Sequence, residues 1–388
     1  MHDSIIFSIF LIFSGAALLA TLALYARQAL LVAYIAIGLL FGPSGLSLVS
    51  DPSLIRDIAD VGIIFLLFLL GLNLEPQELK RLLREATLIT LISSAAFALL
   101  GFLVAFLFGF ALLDSLLIGA AMMFSSTIIG LKLLPTTALH HQRMGEVIVS
   151  VLLLQDMLAI TVLLLLQGFG NSHNPWIDMA LLLVSLPALM LFAYYFSKYV
   201  ITHLLMSFDQ IKEYIFLLAI GWCLGLAELA EVIGLSHEIG AFIAGITLAT
   251  NPIARYIAEN LKPLRDFFLV MFFFALGAGF NLAMLPDVLL PALALALLSL
   301  LFKPWLFKRL LQQGGEQQKS AHEIGVRLGQ ISEFALLVAI VASETELLSP
   351  KGSYLIQAAT IISFTISSYW IVRFYPTPMA VDAKLRRD

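Results

Sequence analysis

Apolar residues follow one another along this chain in runs of roughly 20, and short segments with charges, proline or glycine separate the runs. A helix of about 20 residues, rising 1.5 Å per residue, crosses the ~30 Å hydrocarbon core of a membrane. The pattern therefore predicts an all-α polytopic membrane protein with about 13 transmembrane helices. The spans are expected near residues 5–24, 29–48, 56–74, 86–110, 114–134, 144–168, 176–202, 211–229, 237–250, 263–283, 286–310, 322–344 and 352–375.

The composition agrees with this pattern. Of the 388 residues, 61% are hydrophobic and 12% are charged, whereas a soluble domain carries about 25% charged residues. The first run lacks a basic start and a small-residue cleavage site, so it is predicted to be a retained span. The lone cysteine, Cys223, cannot form an intrachain disulfide. A net charge of -4 without a basic stripe predicts membrane lipid, and no nucleic acid, as the partner.

Lysine and arginine are distributed unevenly between the two sides of the predicted membrane. Of the 22 such residues, 19, including Arg327, fall in every second connecting segment and the C-terminal tail. Arg56 and Lys351 fall in the other connecting segments, and Lys303 lies inside a span. Because cytoplasmic loops retain basic residues, the distribution predicts an external N-terminus and a cytoplasmic C-terminus. No connection is long enough to fold alone. Residues 1–375 are therefore expected to form one transmembrane domain, followed by a short cytoplasmic tail at 376–388.

Two neighbouring spans carry polar side chains near the expected middle of the membrane. The fifth span contains Ser125, Ser126 and Thr127, which would suit a local break that turns carbonyl oxygens toward an ion. Alternatively, these hydroxyls only bond to their own helix. The sixth span contains Gln155 and Asp156. A carboxylate at this depth is costly to ionise, so Asp156 is predicted to bind a cation or a proton, with a protonated structural aspartate as the alternative.

A second polar cluster lies in the twelfth span. Gln330, Ser332 and Glu333 follow a glycine about ten residues from the cytoplasmic end, which predicts a second interrupted helix. Because the two interrupted spans run in opposite directions, their breaks are expected to meet, with Glu333 balancing a positive helix end. Lys303, in the eleventh span, is predicted either to extend toward the cytoplasm or to pair inside the bundle.

Acidic residues at the outer ends of helices are weaker candidates for ion contact. Asp60 and Glu238 are predicted to line an outer funnel. His140 and His141 lack the spacing of a metal site, so no metal beyond the transported monovalent cation is expected.

Seven segments of the sequence, in the same order, resemble the membrane part of the monovalent cation:proton antiporter-2 family, which includes Kef-type potassium/proton antiporters. The match covers nearly the whole chain. The segments are IAIGLLFGPSGL (35–46), VGIIFLLFLLGLNLEPQEL (61–79), FSSTIIG (124–130), LLLQDMLAI (152–160), GLSHEIGAFIAGITLA (234–249), FFFALGAGFNL (272–282) and GQISEFALL (329–337).

The resemblance implies a sodium/proton antiporter-like fold with inverted repeats and two crossing broken helices. It also implies a homodimer, with core and dimerisation subdomains interleaved along each chain, and an elevator-type alternating-access mechanism in the bacterial inner membrane. The ion-binding aspartate of the family corresponds to Asp156. Electrogenic sodium/proton relatives have an acid at the position of Gln155, whereas the Kef-type branch has a glutamine there. The resemblance to the Kef-type branch implies one-for-one exchange of potassium for protons. It also leaves Lys303 without its usual acidic partner.

The sequence departs from the family in two places. QISEF (330–334) replaces a glycine-rich segment, and no nucleotide-binding domain follows Asp388, so a cytoplasmic regulatory domain is expected to be missing or separate. K⁺ or Na⁺ and H⁺ are the expected transported species, without a cofactor. The alternatives are a sodium/proton antiporter of the same fold and a passive cation channel. An intramembrane enzyme is not expected, because no nucleophile and base occur together at mid-depth.

Overall fold

The computed structural model is almost entirely α-helical across the residues it describes, which are 5–377 apart from 27, 29, 50, 51, 73–75, 135–142, 171–174, 209 and 236. The helices are α1 (Ile5–Tyr25), α2 (Leu30–Phe41), α3 (Pro52–Leu72), α4 (Pro76–Leu107), α5 (Leu112–Ala121), α6 (Thr127–Lys132), α7 (Arg143–Gly170), α8 (Pro175–Phe196), α9 (Thr202–Ser207), α10 (Lys212–Val232), α11 (His237–Ala249), α12 (Ala254–Gly279), α13 (Leu285–Gln313), α14 (Gln318–Arg327), α15 (Glu333–Glu344) and α16 (Pro350–Phe374). A π-helical turn at Ser197–Ile201 joins α8 to α9, and a 3₁₀ turn at Leu282–Met284 precedes α13.

Seven helices in the described part of the chain are long and apolar enough to cross a membrane, and several shorter apolar helices accompany them. This finding confirms an integral membrane protein. The predicted fifth and twelfth spans each consist of two shorter helices, α5 with α6 and α14 with α15, separated by non-helical backbone. The total of about 13 spans stays a prediction.

The chain forms two compact units that alternate along the sequence. The first unit contains Met1–Ala16, Tyr34–Lys80 and Gln167–Gly279, and the second contains Ala17–Ala33, Arg81–Leu166 and Phe280–Asp388. Within the first unit, α3 packs against α11 and α12. Gly71 makes this packing close, because a Cβ atom there would overlap the carbonyl oxygen of Phe242 on α11. Small residues at such crossings let helix backbones approach each other.

The second unit holds most of the polar residues singled out by the sequence. It contains two sets of helices, α4 to α7 and α13 to α16, and each set has a long helix, an interrupted helix and a final long helix. The helix α13 packs against α14 and α16, and α5 packs against α15. Asp114, near the start of α5, accepts a hydrogen bond of 3.0 Å from the backbone N–H of Ser349, the N-cap residue of α16. This bond ties the first set of helices to the second.

One basic residue of the predicted cytoplasmic group lies inside the protein. Arg327 is fully buried at the end of α14, although the sequence pattern groups it with the cytoplasmic basic residues. Its guanidinium pairs with Glu323 at 2.8 Å and donates hydrogen bonds to the carbonyl oxygens of Leu133 and Pro376. Because these groups neutralise and solvate the cation, Arg327 can be buried inside the protein. The predicted tail begins at Pro376, and its residues from 378 lie outside the described part of the chain.

Candidate functional site

The side chain of Gln155 stabilises the non-helical backbone of the first helix interruption. Helix α5 ends at Ala121 and α6 begins at Thr127, so the helical hydrogen-bond pattern is interrupted between them. The Gln155 carbonyl oxygen accepts a 2.9 Å hydrogen bond from the backbone N–H of Ser125, and its amide donates to the carbonyl oxygen of Met123 at 3.2 Å. One buried amide thus satisfies a donor and an acceptor that the break exposes, as buried backbone requires.

The second interruption, between Arg327 and Glu333, is stabilised by serine hydroxyls. Ser332 caps α15 by accepting a hydrogen bond from the N–H of Phe334. Ser299 donates to the carbonyl oxygen of Gly329 at 2.7 Å, and Ser363 accepts from the N–H of Ile331 at 3.1 Å. The break therefore forms although QISEF lacks the glycines of the family pattern, because capping and hydroxyl groups replace the lost helical hydrogen bonds.

The two interruptions contact each other directly. The Ser125 hydroxyl donates a 2.7 Å hydrogen bond to the carbonyl oxygen of Leu328, and the Gln330 amide donates to the carbonyl oxygen of Ser126 at 3.3 Å. The alternative that the fifth-span hydroxyls only bond to their own helix is therefore wrong for Ser125. For Ser126 it holds locally, because its hydroxyl accepts from the N–H of Ile129 at the start of α6.

Lys303 lies between the two breaks and is 1% exposed. Its ammonium group donates a 2.7 Å hydrogen bond to the carbonyl oxygen of Phe124 and lies 3.4 Å from that of Gln330. The ring of Phe97 faces the ammonium group at 5.0 Å. The prediction that Lys303 extends toward the cytoplasm is wrong. Lys303 lies inside the bundle, as the alternative predicted, but the partners that the structure describes are carbonyl oxygens and not a carboxylate. Among the described residues Lys303 forms no ion pair, and carbonyl oxygens following the C-terminal ends of α5 and α14 stabilise its charge instead.

Asp156 is 2% exposed and lies beside the N-terminal end of α6. The Thr127 hydroxyl is 3.3 Å from one carboxylate oxygen and 3.4 Å from the other. Glu333, at the start of α15, is also buried and close enough for its charge to act on Asp156. In the part of the chain that the structure describes, no lysine or arginine lies within ion-pair distance of Asp156. A cation or a proton is therefore the natural compensation for an ionised Asp156.

The two weaker candidates belong to the first unit, whereas Asp156 belongs to the second. Asp60 is exposed on α3, and Glu238 is half-buried in the first turn of α11. Their role in an outer funnel stays a prediction.

Sequence reasoning missed a polar face of α16 that supports the second break. Ser367 donates a 3.1 Å hydrogen bond to the carbonyl oxygen of the Gln330 side chain, and Ser363, one turn earlier, bonds to Ile331. Both serines are buried. The signal was their spacing of four residues within the last apolar run, which places them on one face of a helix. Arg327 was missed in the same way, although Glu323 lies one turn before it.

Comparison with known proteins supports this architecture. A family model described as "Sodium/hydrogen exchanger, transmembrane" matches residues 9–375. The solved structure of the sodium proton antiporter MjNhaP1 from Methanocaldococcus jannaschii at pH 8 superposes with a TM-score of 0.72, covering 94% of each chain, at 20% sequence identity. At this identity the likeness shows the fold alone.

Several curated proteins are similar over most of the chain. Iron transporter MagA of Paramagnetospirillum magneticum is 27% identical over 346 residues, which is 89% of this chain and 80% of that protein. K(+) efflux antiporter 4 of Arabidopsis thaliana is 28% identical over 372 residues, covering 93% of this chain and 62% of its own length. The glutathione-regulated potassium-efflux system protein KefC of Cronobacter sakazakii is 29% identical over 375 residues, covering 93% and 59%. This chain thus spans about three fifths of the length of the two potassium antiporters.

These relatives are transporters, and the match to KefC and to the plant efflux antiporters confirms the predicted Kef-type resemblance. Because the family match extends over nearly the whole chain, the chain belongs to the transmembrane sodium/hydrogen exchanger family.

Proposed function

We propose that this protein exchanges a monovalent cation, potassium, for a proton, and that both bind at Asp156 in turn. The observation that carries the proposal is the environment of this carboxyl group. It is buried at a helix break, and its hydrogen-bond partner is the neutral hydroxyl of Thr127. Leaving the carboxylate ionised and uncompensated in such a place is costly. Movement of the empty anion across the membrane is therefore disfavoured, which enforces exchange.

Within the predicted set of ligands, we assign different roles to neighbouring residues. Thr127 is the residue whose hydroxyl reaches the Asp156 carboxylate, so it contributes a ligand oxygen to the cation. The hydroxyls of Ser125 and Ser126 bond to the backbone and hold the break in shape. Gln155 also positions the break, because both ends of its amide bond to the backbone. Backbone carbonyl oxygens of the breaks complete the replacement of the cation's water shell.

The one-for-one stoichiometry is argued from charge, and the choice of potassium from the relatives. Gln155 brings no charge next to Asp156, and Glu333 and Lys303 are opposite charges within the same buried site. Asp156 is then the one group whose charge must be compensated by the transported ion, so each potassium exchanges for one proton. The relatives named as potassium efflux antiporters support this ion.

The two sets of helices in the second unit support an alternating-access mechanism. The order long helix, interrupted helix, long helix occurs twice, as inverted repeats in transporters arrange it. We propose that the second unit moves as an elevator and that the protein works as a homodimer in the bacterial inner membrane. We further propose that about 13 spans place the N-terminus outside and the C-terminus in the cytoplasm.

The test is proton movement in proteoliposomes that carry a pH gradient and a pH-sensitive dye, with the membrane potential clamped. Addition of potassium should dissipate the gradient for the parent protein. The variant Asp156→Asn should lose this response by more than about tenfold, because it cannot alternate between charge states. The exposed Asp287, at the start of α13, provides the control, since Asp287→Asn removes a carboxylate outside the site.

The alternatives give different results in the same experiment. A response to sodium and not to potassium would show a sodium/proton antiporter of the same fold. Cation uptake without proton movement, followed with a cation-sensitive dye in the same vesicles, would show a channel. Retained potassium-driven proton movement in Asp156→Asn vesicles would overturn the assignment of the carboxylate.

A further inference from the structure

A groove of about 230 Å³ lies in the second unit where α13, α14 and α16 run side by side, and the cation site does not use it. Its walls are apolar and aromatic, with Leu301, Trp305 and Trp370 among the lining residues. These three side chains are 62%, 51% and 48% exposed. The groove is therefore open on its outer side, and in a membrane protein an exposed apolar wall of this kind faces the lipid chains.

The basic residues of the groove lie at one end. Lys308 and His322 line it, and the guanidinium of Arg309 stacks over the ring of Trp305 at 5.9 Å. All three lie near the C-terminus of α13 or in the first half of α14, the two helix ends that meet at the turn around residues 314–317. The basic-residue distribution of the sequence places this turn in the cytoplasm. The groove thus combines an apolar wall with a basic mouth at the level of the lipid headgroups.

The basic mouth is not neutralised by the acids of its own helix. On α14, Glu323 is next to His322 in sequence, but its carboxylate is bound by Arg327 at 2.8 Å. Glu316, before the start of α14, is paired with Arg143. An incoming anion would therefore meet Lys308, Arg309 and His322 without competition from these two carboxylates.

The floor of the groove is preformed. Ser367 lines it and is held by a 3.1 Å hydrogen bond to the side chain of Gln330. Pro304, also in the floor, packs tightly against α14, because a Cβ atom on Gly325 would lie 2.6 Å from the Pro304 carbonyl oxygen. A binding site with a rigid floor needs little reorganisation to accept a ligand.

We propose that this groove is a binding site for one anionic phospholipid of the cytoplasmic leaflet. An acyl chain lies along Leu301, Trp305 and Trp370, and the phosphate group is bound by Lys308, with His322 and Arg309 beside it. The occupant is a lipid because the apolar wall continues into the exposed surface, whereas a free phosphate would use only the mouth. Basic pockets between transmembrane helices at the cytoplasmic face bind anionic headgroups in this way.

Quenching of tryptophan fluorescence by brominated lipids tests the proposal in a bilayer. The chain has four tryptophans, so the background Trp176→Phe/Trp222→Phe leaves Trp305 and Trp370 as reporters. Brominated phosphatidylglycerol should quench them at a mole fraction about five-fold lower than brominated phosphatidylcholine, because one cation near the surface favours an anionic lipid by about that factor. In Lys308→Gln/Arg309→Gln/His322→Gln the two lipids should quench equally.

The control removes charge elsewhere on the same predicted face. Lys212 and Arg255 are exposed on α10 and α12, so Lys212→Gln/Arg255→Gln should keep the preference for phosphatidylglycerol. Unchanged quenching by phosphatidylcholine in the Lys308→Gln/Arg309→Gln/His322→Gln protein would show that the tryptophans still face lipid. Equal quenching by both lipids in the background protein would overturn the proposal. The proposal would also be overturned if the preference for phosphatidylglycerol survived in the variant without the basic mouth, or if it disappeared in the control variant. It would equally be overturned if neither lipid quenched the tryptophans. None of these measurements depends on transport.

Discussion

Buried polar side chains in this protein act mainly on the backbone of the helix breaks. Gln155, Ser125, Ser299 and Lys303 each bond to a backbone group in a break, whereas Asp156 bonds to a side chain. This difference separates residues that build the site from the one that must exchange its compensating charge. Replacing a residue that bonds to the backbone of a break should therefore mainly lower the stability of the fold, whereas replacing Asp156 should mainly abolish exchange.

Gln155 offers a prediction at this scale. Gln155→Ala leaves the N–H of Ser125 and the carbonyl of Met123 without partners in a dry environment, so the free energy of unfolding should fall by about 1–3 kcal/mol per group. The matched variant Gln155→Glu keeps an acceptor for the Ser125 N–H and should recover part of the loss. Thermal unfolding in detergent measures both. Equal stability of the parent and Gln155→Ala would contradict the role assigned to this amide.

The helices of the second unit are held together by short-range backbone approaches as well as by hydrogen bonds. Helix α14 lies close to α13 because Gly325 has no side chain to separate them. Helix α16 is joined to α5 through Ser349 and Asp114. The interrupted helices are each short, so their positions depend on such contacts with the long helices rather than on intrinsic helix stability.

A methyl group added at Gly325 tests this dependence. It would lie 2.6 Å from the carbonyl oxygen of Pro304, so Gly325→Ala should lower the free energy of unfolding by about 1–3 kcal/mol. Gly221, inside α10, has open space at the same position. Gly221→Ala should therefore leave stability unchanged or raise it by up to about 1 kcal/mol, because alanine favours helix. If chemical unfolding shows equal effects for the two substitutions, packing at Gly325 is not limiting.

At the scale of the whole molecule, cation and proton compete for one carboxyl group. In the pH range where Asp156 is protonated when no cation is bound, each unit of falling pH should raise the potassium concentration for half-maximal exchange about tenfold. Exchange measured in proteoliposomes at several pH values, equal on both sides, gives this slope. Thr127→Val should raise the required concentration at every pH without changing the slope, since it removes a ligand and not the titrating group. A pH-independent potassium requirement would contradict the competition.

Much of this protein could be predicted from the order of its residues. Long apolar runs determine helices in a membrane, because backbone groups in lipid must bond within their own segment. Polar residues inside two of those runs, Ser125 to Thr127 and Gln330 to Glu333, indicated where helices would be interrupted. A mid-membrane acid without a basic neighbour, Asp156, indicated where charge would be exchanged. These features depend on local sequence and on the solvent, and both are visible in one chain.

Only the tertiary structure decided which groups meet. Lys303 could either reach water or turn inward, and the choice depended on carbonyl oxygens that helices α5 and α14 present from far away in the sequence. Arg327 could lie in a loop or inside the protein, and the choice depended on Glu323, Leu133 and Pro376, which surround it. The sequence around a long polar side chain is the same whether it extends to water or is buried between helices. The difference in free energy comes from partners that only the packed helices bring within hydrogen-bond distance.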